Sequence, residues 1–327
     1  MKNILITNDD DNYAASVSDI LINEASPEQA VVDVLYSTLN YKDALAITGK
    51  GKIIRDFPMV PGIDLVGTVA KPAQDGRLKQ EQLVLLNGFG YGERFAGGLT
   101  QQAHIADKHL IALPEGMQPI HAMMLGTAGY TAMLCVMALQ QAGITPSMGD
   151  ILVTGANGGV GSVSVLLLSK LGYTVVASTG RPEESDFLKG LGASEIIHRD
   201  TLNQPGKPLG KETWAGVVDS LGSHTLANAC AGTKYGGAVA ACGLAQGMDF
   251  TSSVAPFILR GVKLLGIDSV NRPIADRVQA WQMLHDLIDT DKLEALSRTI
   301  GFDAVIETAN QLLAGKIRGR VVVDVKA

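Results

Sequence analysis

Residues 151–161 read Ile-Leu-Val-Thr-Gly-Ala-Asn-Gly-Gly-Val-Gly, and this stretch constrains the fold more than any other. A short apolar strand, Ile151 to Thr154, runs into a glycine-rich turn. An apolar helix from about Ser162 to Leu171 follows, and then a second strand, Tyr173 to Ser178. That order builds a βαβ unit. Glycines let the backbone approach a pyrophosphate and pack the helix on the sheet, while helix N–H groups meet the negative charge. A glycine-rich turn by itself is only a tight strand–helix connection; the flanking strands and helix make it a dinucleotide site, with Asn157, Gly158, Gly159 and Val160 in the turn.

The adenosine-ribose end follows from the second strand. A site that prefers NAD places a carboxylate about 20 residues after the glycines, where it binds the ribose 2′-OH. Here the strand ends in Ser178-Thr179-Gly180-Arg181, with hydroxyls and an arginine in place of an acid. A guanidinium fork suits a 2′-phosphate, so the expected cofactor is NADPH. The alternative is that Ser178 and Thr179 only end a strand and Arg181 pairs with Glu184 in the helix opened by Pro182.

Length and balance bound the rest. A chain of 327 residues fits two domains, and 46% hydrophobic with 18% charged residues describes a globular protein. A net charge of −6 argues against nucleic acid as the main partner. No uninterrupted apolar run of membrane-spanning length is expected. The start, turning acidic at Asp9-Asp10-Asp11, lacks a signal-peptide shape. Cys135, Cys230 and Cys242 are scattered and odd in number, which fits a reducing compartment; a cytoplasmic location is expected.

Along the chain, residues up to about 121 carry strand-like runs (30–39, 61–69, 82–86) with Gly/Pro punctuation. From about Ala122 strands alternate with helical segments, and parallel strands are expected at 151–154, 173–178, 195–198, 216–219, 238–242 and 262–267. The fold class is therefore α/β, with a doubly wound Rossmann sheet beside a β-rich domain. Residues 273–288 read as a helix, and 304–326 as a helix followed by a strand that returns to the first domain. The expected division is 1–121 with 298–327, and 122–297.

Candidate site residues come partly from what is missing. A catalytic zinc needs about three protein ligands. The histidines 104, 109, 121, 198, 224 and 285 do not pair with the cysteines at ligand spacing, and neither Cys-x-x-Cys nor His-Glu-x-x-His occurs. Metal-independent chemistry is expected. Tyr41 can donate a proton and Asn40 can hold a carbonyl. Asp64, within the apolar run Pro61 to Gly67, needs a partner, and either holds a loop or serves the site. Thr127 opens a helix and either bonds a nicotinamide carboxamide or caps the helix.

The chain resembles the medium-chain dehydrogenase/reductase superfamily over essentially its full length. The resemblance rests on Pro61 to Gly67, Gly126-Thr127-Ala128, Ala156 to Gly161 and Gly319 to Val323. Zinc-dependent members carry Cys and His-Glu where this chain has Asn40 and Ile63-Asp64, which points to the zinc-free quinone-reductase and enoyl-reductase branch. Within it, the runs Leu39 to Arg55, Thr131 to Leu139 and Pro256 to Arg260 resemble the bacterial acrylyl-CoA reductase group. The resemblance implies a GroES-like catalytic domain beside the Rossmann domain, and NADPH-dependent reduction of acryloyl-CoA to propanoyl-CoA. It also implies cofactor contacts at Tyr41, Asn157 to Val160, Ser178 to Arg181, Arg199, Leu244, Ile258 and Ser269. A homodimer through the edge strand at 263–269 is implied as well.

On this reading a hydride reaches the β-carbon, and Tyr41 or ordered water protonates the α-carbon. Lys42, Lys50, Lys52, Arg55 and Arg260 are candidates for the CoA phosphates. A quinone reductase and a non-catalytic NADPH-binding sensor are the rival readings.

Overall fold

The computed structural model describes residues 1–9, 12–19, 24–74 and 76–327, so Asp10 and Asp11 of the acidic run lie outside the described residues. The chain divides into two compact units, Met1–Thr127 with Ser269–His285 and Thr290–Ala327, and Ala128–Asp268 with Asp286–Asp289.

The first unit is built on a seven-stranded, mostly antiparallel sheet. The strand Gln29–Thr38 lies inside it, antiparallel to Asp64–Lys71 on one side and to Arg320–Asp324 on the other. Alternation explains the register: Ala30, Val32 and Val34 point into the core, while Asp33 faces out. The core also holds Leu65, Leu86, Val321 and Val323, together with Ile4 and Ile6 of the hairpin Asn3–Asp9 and Asn12–Ser18. The helix Tyr41–Thr48 leaves directly from the end of the central strand, and Gly49 in the left-handed region stops it.

The second unit is a six-stranded parallel sheet. Its strands follow the order Glu195–His198, Val175–Thr179, Ile151–Val153, Trp214–Asp219, Thr233–Ala241, Lys263–Gly266. This is the doubly wound order of a dinucleotide-binding domain, and all six expected strands are present. The helix Gly159–Lys170 covers the sheet and buries Val163, Val165, Leu166 and Leu167. A Cβ on Gly161 would lie 2.3 Å from the Gly155 carbonyl oxygen, so helix and turn meet this closely only with glycine there.

Two expectations change. The chain returns to the first unit at Ser269 and not at 298, because the helix Ile274–Leu287 is tied to the strand Leu83–Asn87. Within that unit the Arg277 guanidinium donates to the Asn87 carbonyl at 2.8 Å, and the Trp281 indole donates to Asn87 Oδ1 at 2.9 Å. The helix Pro119–Gln141 is long and apolar enough to cross a bilayer, yet 89% of its most apolar window is buried within the protein. It is a core helix, broken at Gly126.

Candidate active site

The candidate residues fall into two groups, one in each unit. In the first, the carboxylate of Asp64 is completely buried at the start of its strand. Its Oδ2 accepts from the Thr38 hydroxyl at 2.6 Å, the Asn40 amide at 2.8 Å and the Thr127 backbone N–H at 2.9 Å. Its Oδ1 accepts from the Asn87 amide at 2.6 Å and from the Thr127 hydroxyl. Every partner is a donor, so the buried carboxylate acts only as an acceptor, as a group removed from water must to remain satisfied.

Asn40 is enclosed in the same cluster. Its amide nitrogen also faces Thr38 Oγ1 at 2.8 Å and Asp43 Oδ2 at 3.1 Å, and its carbonyl accepts from Arg320 Nη1 at 3.1 Å. Both ends of the side chain are thus spent inside the protein. Asn40 and Asp64 therefore tie the end of the central strand, the start of the Tyr41 helix and Thr127 to one another. Asp43 completes the anchor, accepting from the Asn40 backbone N–H at 2.9 Å and the Ile63 N–H at 3.0 Å. Burial, and the neighbouring Asp64 charge, push the Asp43 carboxyl up to about 7 against the lowering effect of those hydrogen bonds. Burial also pulls the Arg320 guanidinium below its ordinary value, while Asp64 and Asp43 hold it up.

Tyr41 stands apart from this knot. It opens the helix Tyr41–Thr48 at 47% exposure, with its neighbours Asn40 and Asp43 fixed behind it. Thr127 follows the break at Gly126, where φ 52° and ψ −157° form a conformation open essentially to glycine alone. The Thr127 hydroxyl and backbone N–H donate to the two oxygens of the Asp64 carboxylate. Ser269 lies in the first unit too, its carbonyl accepting from Arg277 at 3.1 Å.

In the second unit the glycine turn and the tip of the strand Val175–Thr179 come together. The Thr179 hydroxyl donates to Asn157 Oδ1 and accepts from the Arg181 backbone N–H at 2.9 Å. A Cβ on Gly180 would lie 2.5 Å from Arg199 Nε, which places the Arg199 guanidinium across Gly180. Gly158 precedes the helix, and Gly159 and Val160 form its first turn, where backbone N–H groups have no intrahelical partner. The Asn157 amide nitrogen and the Ser178 hydroxyl are buried without a hydrogen-bond partner. Two orphaned donors, with the Arg199 guanidinium across Gly180 and no carboxylate at the strand tip, fit a phosphorylated ribose. Leu244 and Ile258 stand on the segments after the strand Thr233–Ala241, Ile258 at 73% exposure.

Two of the proposed phosphate ligands are occupied. Lys42 donates to Glu93 at 2.9 Å, and the Arg260 guanidinium donates to the carbonyls of Gly210 at 2.7 Å and Ala231 at 2.9 Å. Sequence reasoning missed Thr38, Asn87 and Arg320 as members of the buried cluster. No local pattern marks them, because their partners lie 26, 23 and 280 positions away.

Comparison with known proteins agrees with this geometry. The family model described as the alcohol dehydrogenase GroES-like domain matches residues 26–136, and the zinc-binding dehydrogenase model matches residues 159–290. The acrylyl-CoA reductase AcuI of Ruegeria pomeroyi is 46% identical over 100% of both chains. The chain belongs to the medium-chain dehydrogenase/reductase superfamily. Its first unit is the GroES-like domain of that superfamily and its second the Rossmann domain. Among solved structures, the yhdH oxidoreductase of Salmonella enterica in complex with NADP is 46% identical and superposes with a TM-score of 0.97, covering 99% of this chain and 100% of that one. The yhfP protein of Bacillus subtilis with NAD bound is 38% identical, with a TM-score of 0.94 over 99% of each chain. Among the described residues, no three His, Cys, Asp or Glu side chains come together as a metal-binding group.

Proposed function

We propose that this superfamily member is an NADPH-dependent enoyl-CoA reductase that converts acryloyl-CoA to propanoyl-CoA without a catalytic metal. The observation that carries the reading is 46% identity, over the full length, to a protein named acrylyl-CoA reductase, joined to a nucleotide turn whose orphaned donors fit a phosphorylated ribose. NADPH, when bound, supplies the hydride for the β-carbon. Asn157, Ser178, Arg181 and Arg199 hold its adenosine end. Tyr41 delivers the proton to the α-carbon, from the half-exposed first position of a helix whose Asn40 and Asp43 are buried. Metal independence is supported by Asn40 and Asp64, whose polar atoms are turned inward on other side chains.

The protein works as a homodimer in the cytoplasm on this reading. The strand Lys263–Gly266 ends the parallel sheet with one edge unpaired among the described residues and Leu264 exposed on it, as a pairing edge requires. Cys135, Cys230 and Cys242 are all free thiols, which suits a reducing compartment.

NADPH oxidation with acryloyl-CoA, crotonyl-CoA and a benzoquinone tests the assignment. The reading expects kcat/KM to be highest for acryloyl-CoA. Turnover of the quinone with inert thioesters would leave a quinone reductase in its place.

A further inference from the structure

The first unit holds a cavity of about 490 Å³ that the proposed chemistry does not use. Phe57, Arg94 and Phe95 line it, with Gln29 and Asp56 among the polar groups. Phe95 is 52% exposed and Arg94 is exposed next to it. Neither position is loose. The Arg94 and Phe95 N–H groups both donate to the Gly90 carbonyl, at 2.8 and 3.1 Å, and the Gly92 N–H donates to the Phe95 carbonyl at 2.7 Å. A fixed loop therefore presents an aromatic face and a guanidinium to one cavity.

That combination recognises a nucleobase joined to phosphate. The ring offers a stacking surface, the guanidinium a forked donor, and the Asp56 carboxylate an acceptor for an exocyclic amine. The cavity is also joined to the reaction site. Glu93, next to Arg94, accepts from Lys42 at 2.9 Å, and Lys42 follows Tyr41 directly. On the other side, Lys50, Lys52 and Arg55 sit between the end of the Tyr41 helix and Asp56, with no ion pair among the described residues.

We propose that this cavity takes the adenosine 3′-phosphate 5′-diphosphate end of the CoA thioester, with adenine against Phe95 and phosphates against Arg94. The assignment rests on the enoyl-CoA reductase reading and names the half of the substrate that reading leaves unplaced.

The test compares acryloyl-CoA with acryloyl-pantetheine, which lacks the nucleotide, in wild type, Arg94→Glu and Phe95→Ser. Each variant is expected to raise KM for acryloyl-CoA about tenfold, the size of one charge-assisted or stacking contact, with kcat and the pantetheine KM retained. A rise for both thioesters together, or for neither, overturns the assignment. Calorimetric binding of free CoA to the NADP-saturated protein separates the two hypotheses. CoA bound equally by wild type and both variants overturns the cavity site. CoA binding lost in the variants, with no enoyl thioester turned over by wild type, sinks the reductase reading and leaves the cavity site standing.

Discussion

Tyr41 and Asp43 sit two residues apart in one helical turn and do opposite work. Tyr41 faces solvent, and Asp43 is buried and holds the turn in place. Tyr41→Phe is expected to lower kcat with acryloyl-CoA on the order of a hundredfold, with the NADPH KM unchanged. An unchanged kcat would transfer the proton-donor role to water. Asp43 gives a pH signature that Tyr41 does not. Its folded-state carboxyl titrates at about 7, above its value in the unfolded chain, so the folded protein holds a proton that the unfolded chain has released. Stability from this group is full below about pH 4 and is lost as pH rises through about 7. Asp43→Asn removes that dependence, so the fall in unfolding midpoint between pH 5 and pH 8 should be smaller in the variant. Parallel curves for the two proteins would exclude Asp43 as the source. At the cofactor end, Arg181→Ala should raise the NADPH KM about tenfold and leave NADH use nearly unchanged. Equal losses with both cofactors would remove the 2′-phosphate assignment.

At the level of elements, the strands of the Rossmann sheet were legible because each is a short apolar run closed by turn residues. Helix starts were less so. The helix expected from Ser162 begins at Gly159, since the glycines that read as a turn also supply its first N–H groups. The break in the helix Pro119–Gln141 was signalled only by Gly126 before Thr127. Its cause is tertiary: a Cβ on Gly126 would lie 2.6 Å from Arg320 Nη2 and 2.7 Å from Asp64 Oδ2. Gly126→Ala should therefore cost more than the roughly 1–3 kcal/mol of a strained backbone conformation alone. Gly143 provides the control, with φ 90° and nothing within 4 Å of the added carbon. Thermal unfolding should show Gly126→Ala well below Gly143→Ala. Similar midpoints would mean that the guanidinium and carboxylate move aside at little cost.

For the whole molecule, the exposed edge at Lys263–Gly266 carries the assembly prediction. Wild type is expected to sediment as a dimer and Leu264→Lys to shift toward monomer, because a charge on an edge strand opposes pairing. A monomeric wild type would remove the interface. The sequence alone was enough to establish a dinucleotide-binding α/β unit, because strand, turn and helix are neighbours in the chain and their signals are local. It was also enough for the β-rich unit and the absence of an acid at Ser178 to Arg181. The domain boundary and the work of Asn40 and Asp64 were decided only in three dimensions. Arg277 and Trp281 reach Asn87 across 190 and 194 positions, and Arg320 reaches Asn40 across 280. Burial makes distant groups the partners that Asn40, Asp64 and Asn87 require, and no local pattern records which residues a fold will bring together.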